Sequence, residues 1–252
     1  MPRVISASKS PRPSTKRSPA PSVEAVLKSL EQLGSQSVRE QMGPRYGIHT
    51  ERAFGVTMAK MQQLAKRLGP NHSLAQGLWA TGWYEARMLA ALIDEPDQVT
   101  PAQMERWCRD CDNWAIVDTV CFKLFDRVPH AWNKVATWAV RRDEFVKRSA
   151  FALLASLALH EHSAEDGAFM RCLPLLEHAA ADERNFVKKA VSWALRAVGR
   201  RNLKLNAAAV ELARQLVDSP LPASRWVGKE ALRELTSASV QKRLGQRSPR
   251  MS

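Results

Sequence analysis

Phe145-Val146-Lys147-Arg148 recurs as Phe186-Val187-Lys188-Lys189 and, more loosely, as Trp226-Val227-Gly228-Lys229, at intervals of 41 and 40 residues. Small and apolar residues recur at helical spacing behind the first two copies, in Ala150-Phe151-Ala152-Leu153-Leu154 and in Ala190-Val191-Ser192-Trp193-Ala194-Leu195. A period near forty marks helix pairs that cannot bury their apolar faces alone and do so by stacking. Working outward, the spacing stays helical. Val26, Leu27, Leu30 and Leu33 form one stripe and Phe151, Leu154, Ala155 and Ala158 another, and no segment offers convincing strand alternation. Breaks at Gly34, Gly43-Pro44, Gly69-Pro70, Glu95-Pro96, Pro129, Gly199 and Ser219-Pro220 cut the chain into roughly a dozen short helices. Fainter copies of the repeat begin near Tyr84 and Trp114.

The fold expected is therefore all-α, a HEAT-like repeat α-solenoid that presents one row of helices on a concave side. Arg148, Lys189 and Lys229 share one repeat position, with Lys188 beside the second, and so line up along that row. There they are either a track for a phosphate backbone or simply the solvated starts of three helices.

Charge does not choose between these readings, because most of it lies at the two ends and the middle of the chain is only mildly positive. The 252 residues carry a formal net charge of +13, and every acidic residue lies between Glu24 and Glu234. Five basic residues (Arg3, Lys9, Arg12, Lys16, Arg17) and five prolines crowd the first 21 positions, and Lys242, Arg243, Arg247 and Arg250 fall after Ser237. The expected organisation is a flexible basic arm at 1–21, a helical repeat domain at 22–237 and a basic tail at 238–252. The arm's prolines disfavour the amphipathic helix of a transit peptide, and no apolar core follows Arg3 as a secretory signal needs. Apolar runs such as Phe151 to Leu159 are too short to cross a bilayer. Four cysteines with a single close pair, Cys108 and Cys111, do not describe a disulfide framework. Cys121 extends that pair poorly as a zinc site, because a helix intervenes. No nucleotide-binding fingerprint is present, so no cofactor is expected. The expected protein is a cytoplasmic, nucleoid-associated monomer with a polyanionic partner and no membrane partner.

Three segments carry a more specific signal: Asp112-Asn113-Trp114-Ala115-Ile116-Val117-Asp118, Phe145 to Phe151, and Glu183 to Arg196. In order and spacing they resemble the AlkD-type DNA alkylation repair glycosylases, from about Tyr46 to the helix ending near Leu235. The resemblance implies hydrolysis of the N-glycosidic bond of purines alkylated at N3 or N7 in double-stranded DNA, on a HEAT-like solenoid with a basic concave face. By the same resemblance Asp118 is the catalytic carboxylate, Trp114 and Trp193 are the active-site tryptophans, Arg148 contacts a phosphate and Tyr46 is an aromatic DNA contact. It also implies that the lesion stays against the duplex instead of being flipped into a pocket.

The residue types suit such chemistry. Glycoside hydrolysis ordinarily needs two carboxyl groups, one of them to protonate the leaving group. A purine alkylated at N3 or N7 already carries a positive charge and leaves neutral, so one carboxylate suffices to stabilise the sugar cation and position water. Trp114 precedes Asp118 by four residues and shares its helical face. Tryptophan faces attract a cation by about 0.5 to 2 kcal/mol each. Asp112, just before this run, is the expected helix cap. The other tryptophans (Trp79, Trp83, Trp107, Trp132, Trp138, Trp226) read as packing between helices, and His160 and His162 as charges at a helix end. Two other functions fit the architecture: a non-catalytic HEAT-repeat protein recognising damaged or branched DNA, and a peptide-binding solenoid.

Overall fold

The computed structural model describes residues 21–247, and within them the chain forms fifteen α-helices and two 3-10 turns, with no strand. The helices are α1 (Val23–Leu33), α2 (Gln36–Tyr46), α3 (Met58–Leu68), α4 (His72–Ala80), α5 (Tyr84–Ile93), α6 (Pro101–Asp110), α7 (Trp114–Lys123), α8 (Ala131–Ala139), α9 (Glu144–His160), α10 (Asp166–Met170), α11 (Leu173–Ala179), α12 (Asn185–Gly199), α13 (Leu203–Val217), α14 (Pro222–Leu235) and α15 (Ala238–Arg247). The basic arm lies outside the described residues except for Pro21, and so do positions 248–252.

The HEAT-like stacking is present. Helices α3, α5, α7, α9, α12 and α14 pack successively into one row, and α4, α8, α11 and α13 back α5, α9, α12 and α14. The repeat explains how. In α9, α12 and α14 the stripes Val146-Ala150-Leu154, Val187-Val191-Leu195 and Val227-Ala231-Leu235 occupy equivalent positions, and all nine residues are at most 4% exposed. Each buried leucine of this kind stabilises the fold by about 1.5–3 kcal/mol. Equivalent side chains also meet between neighbours, as Phe145 and Phe186 do with ring centroids 5.6 Å apart. Gly228 replaces the lysine of the other copies because α14 runs against α13 there; a Cβ would lie 2.7 Å from the Ala213 carbonyl oxygen. A second, aromatic seam joins the backing helices, with Trp79 stacked on Trp107 at 4.0 Å, Trp107 against Phe125, and Phe125 against Trp138.

Local chemistry sets the ends of the helices that matter for the site. Asn113, not Asp112, caps α7: its side chain accepts from the Ala115 and Ile116 amides at 3.1 Å. Asp112 instead accepts from Asn113 Nδ2 and approaches Arg87. The first residue inside α7 is then Trp114, and Asp118 falls one turn later. Gly43-Pro44 does not break α2. That helix runs through Pro44, at the loss of one backbone bond in its last turn, and closes at Gly47, whose φ of 63° lets its amide and that of Ile48 return to the Gly43 and Met42 carbonyls. The segment expected as a basic tail also differs. Residues 238–247 form α15, which turns Val240 and Leu244 inward at i, i+4 spacing, buried to 5% and 1% exposure. Among the described residues no helix is long and apolar enough to cross a membrane.

Candidate functional site

Asp118 points from α7 toward α9, where Arg148 closes on it. Nε of Arg148 donates to Oδ1 at 3.1 Å, and Nη2 donates to Oδ1 at 2.9 Å and Oδ2 at 2.8 Å. The remaining arm of the guanidinium, Nη1, donates to the Phe186 carbonyl on α12 at 2.7 Å. One arginine thus ties three consecutive helices of the row together. Its side chain is 7% exposed, against 22% for Asp118, so the carboxylate is the member of the pair that keeps a surface to solvent. Burial lifts the Asp118 carboxyl above the ordinary aspartate range, with the charge and hydrogen bonds of Arg148 pulling in the opposite direction.

That surface opens into a cleft of about 520 Å³ bounded by Arg45, Tyr46, Gly47, Trp114, Arg148, Asn185, Phe186 and Lys189. Trp114 reaches across it to donate Nε1–H to the Tyr46 carbonyl at 2.8 Å. This bond fixes both the indole and the end of α2, leaving the Tyr46 ring 45% exposed beneath the Arg45 guanidinium, 5.3 Å away. The base of α2 is set by a residue that the sequence did not single out. Glu85, fully buried at the start of α5, accepts from the amides of Phe54 (2.9 Å), Gly55 (2.7 Å) and Val56 (3.1 Å). Gly55 has φ 78°, and a Cβ there would lie 2.2 Å from the Ser35 carbonyl oxygen just before α2.

The expected site residues are thus only partly gathered. Tyr46, Trp114, Asp118, Arg148 and Lys189 share the cleft. Trp193 is not in its lining. It lies one turn beyond Lys189 on α12 and stacks on Phe122 at 4.8 Å and 6°, one turn beyond Asp118 on α7. Trp114 thus precedes Asp118 by one turn along α7 while Trp193 stacks one turn after it, and the two do not share the lining of one cleft. Lys188 is half-buried with its ammonium 5.1 Å from the Trp226 ring, a committed cation, whereas Lys229 is exposed on α14 away from the cleft. Arg148 is not a free phosphate fork, because its Nε and Nη2 donors are on Asp118. Arg45, Gly47, Asn185 and Phe186 complete the lining and were not among the expected contacts, although Asn185 and Phe186 fall within the segments quoted above.

The four thiols are buried and free. Burial pushes Cys108 up to about 12 and Cys172 to about 11, and raises Cys111 and Cys121 as well, so all four are held as thiols. No group of three or more potential metal ligands occurs among the described residues.

No curated protein matches the sequence. A solved structure, described as a new family of proteins related to the HEAT-like repeat DNA glycosylases with affinity for branched DNA structures, superposes with a TM-score of 0.72. The match covers 89% of this chain and 96% of that one at 22% identity, a likeness of fold. The family model for DNA alkylation repair enzymes matches residues 26–235, which takes in the whole row of helices and every residue of the Asp118 cleft. The chain belongs to the DNA alkylation repair enzyme family.

Proposed function

We propose that the protein is a monofunctional alkylpurine DNA glycosylase that hydrolyses the N-glycosidic bond of N3- and N7-alkylated purines in duplex DNA, with Asp118 as its catalytic carboxylate. The supporting observation is the state of Asp118: a carboxylate at the edge of a cleft, held from behind by Arg148 and made more basic by burial. In the proposed reaction the bond from the sugar carbon to the purine breaks and its electron pair stays with the base, which departs neutral. The sugar becomes an oxocarbenium ion, which the Asp118 carboxylate stabilises across the short gap of the cleft. Asp118 then takes a proton from the water that attacks the sugar, leaving an abasic site. The Trp114 ring in the cleft favours a cationic base over a neutral one. Arg148 acts as a positioning residue, and Lys189 and Tyr46 flank the backbone. In this reading the lesion is held against the duplex and not flipped into a pocket.

A second reading has its own support. With its fork occupied by Asp118, Arg148 is also what a purely structural ion pair would look like, and the superposed structure is described as having affinity for branched DNA. On that reading the protein recognises damaged or branched DNA without catalysis. The deciding assay incubates protein with duplex DNA containing N7-methylguanine and measures base release for the wild type and for Asp118→Asn. Release by the wild type, lowered at least a hundredfold in the variant, is expected. No release from either protein, together with tighter binding to four-way junctions than to duplex, establishes the second reading.

A further inference from the structure

A second constellation lies beyond Phe122 on the same row of helices. His160, the last residue of α9, presents Nδ1 to Asp126 Oδ2 at 2.5 Å, and Ser156 Oγ donates to that same oxygen at 2.5 Å. The carboxylate is 2% exposed while the imidazole is 48% exposed. Phe122 packs nearly perpendicular to the imidazole, with centroids 5.5 Å apart, and so fixes the plane of the ring. Nε2 takes no protein hydrogen bond among the described residues. Together with Leu92, Phe122, Lys123, Asp126 and Arg127, the ring bounds a cleft of about 330 Å³.

This arrangement is more than a cation at a helix end. A charge that only offsets the helix dipole needs no buried carboxylate behind it, and nothing need hold its ring plane. Among the described residues Asp126 has no ion-pair partner besides His160, and its Oδ1 is buried without a hydrogen-bond partner. Its hydrogen bond orients the imidazole, and in the protonated ring Nε2–H is the outward donor. Lys123 and Arg127 are both exposed and have no ion-pair partner among the described residues. Two cations and an imidazole with a free outward nitrogen therefore border one small cleft whose lining carboxylate, Asp126, is turned inward, which is the make-up of an anion site.

Its position says which anion. Arg148, which holds Asp118, and His160 are twelve residues apart on α9, about 18 Å along its axis. Phosphates recur about every 3.4 Å along one strand, so a separation of that order spans about five nucleotides of a single bound duplex. We propose that His160, oriented by Asp126 and flanked by Lys123 and Arg127, grips a backbone phosphodiester of the same duplex whose damaged nucleotide lies at Asp118, a few nucleotides away from it. The inference rests on the DNA reading of the Asp118 cleft.

The test measures affinity for undamaged duplex DNA between 50 and 300 mM salt, for the full chain and for His160→Gln and Lys123→Ala/Arg127→Ala variants. Expected are a five- to tenfold loss of affinity at the low-salt end and a fall of about one in the slope of log K against log salt for each lost phosphate contact. Should His160→Gln fail to fold, the Lys123/Arg127 variant, altered only at exposed positions, still reads the slope. Titration with inorganic phosphate, followed through the His160 ring resonances, separates the sources. Saturation by free phosphate with DNA affinity unaltered in the variants overturns the proposal, and so does a wild-type slope in both variants. If the wild type itself shows no salt-dependent DNA affinity, the proposed function falls as well. Wild-type binding with unaltered variants refutes the His160 site alone.

Discussion

Breaking the Asp118–Arg148 pair from each side in turn gives a quantitative test of the site. Asp118→Asn leaves a guanidinium 7% exposed without its carboxylate, and an arginine cannot shed its proton to escape. Removing one partner of a buried pair costs about 3–5 kcal/mol, and the partial exposure of Asp118 places this variant near 3 kcal/mol. Arg148→Met orphans the carboxylate and leaves the Phe186 carbonyl unbonded, but Asp118 has two ways out: water at its 22% exposed edge, and protonation. About 2 kcal/mol is expected for this variant at neutral pH. With both changes no buried charge is left alone, so the double variant should be no less stable than Asp118→Asn. The resulting coupling is about 2 kcal/mol, well above the 0.3–0.5 kcal/mol scatter of independent sites.

The pH dependence of the same cycle supplies a sign. A carboxyl whose pKa is raised on folding contributes stability that is present below its folded pKa and lost as pH rises through it. In Arg148→Met the two influences that lower the Asp118 pKa are gone and only burial remains, so the shift grows. The variant should therefore lose more stability relative to wild type at pH 8 than at pH 5. Its base-release rate should fall away at a higher pH than that of the wild type, because more of Asp118 is protonated. Urea unfolding of the four proteins at the two pH values, with pH–rate profiles of wild type and Arg148→Met, reads all of this. Additive destabilisation within 0.5 kcal/mol, or an acid limb that stays in place, would refute the reasoning.

Two further expectations follow from other networks. Glu85→Gln replaces a carboxylate that accepts three amides with one acceptor oxygen and an amide that faces donors, so a loss of about 2–4 kcal/mol is expected. Amide exchange should speed up first in residues 34–56; uniform loosening of the whole chain would show that Glu85 does not specifically anchor α2. Asp182, bonded to Arg184 and Lys147, has its carboxyl held well below the ordinary aspartate range, chiefly by the Arg184 side chain. It contributes stability present above the unfolded aspartate pKa and lost as pH falls, so Asp182→Asn should narrow the difference in melting temperature between pH 7 and pH 3. An unchanged difference would contradict that role.

The row of helices was legible because the repeat forces equivalent residues into equivalent surroundings: Val146, Val187 and Val227 must all face inward if any of them does. The same logic fails for polar positions. Arg148, Lys189 and Lys229 share a repeat position, yet the first is buried and the other two are exposed. The partner that buries Arg148 is Asp118, thirty residues upstream and off the repeat interval, so no periodicity announces it. The resemblance assigns Trp193 to the site by its segment, whereas its stacking on Phe122 depends on the offset between α7 and α12, which sequence spacing does not encode. Glu85 escaped because its three partners are backbone amides, which leave no mark in side-chain patterns. For α15 a signal was present in Val240 and Leu244, four apart, but the basic residues around them outweighed it.

The Asp118–Arg148 pair also bears on why a single carboxylate can be enough. To stabilise a developing cation strongly, a carboxylate has to lie where water does not screen it, since the same charges interact several-fold more strongly at the edge of a protein than in bulk water. Dryness, however, favours the protonated and therefore useless form, which is the direction burial drives Asp118. A counter-charge restores ionisation, but one placed on the cleft side would repel the cation that the site has to receive. Arg148 limits that repulsion by geometry: it reaches Asp118 from α9, is itself 7% exposed, spends Nε and Nη2 on the carboxylate and ties Nη1 to the Phe186 carbonyl. A lysine at that position would supply the charge without the fork, fixing neither oxygen and losing the tie to α12. Arg148→Lys should accordingly keep most of the stability that Arg148→Met loses and still release base slowly. Full activity in the lysine variant would mean that charge alone, and not the orientation of the carboxylate, is what Arg148 provides.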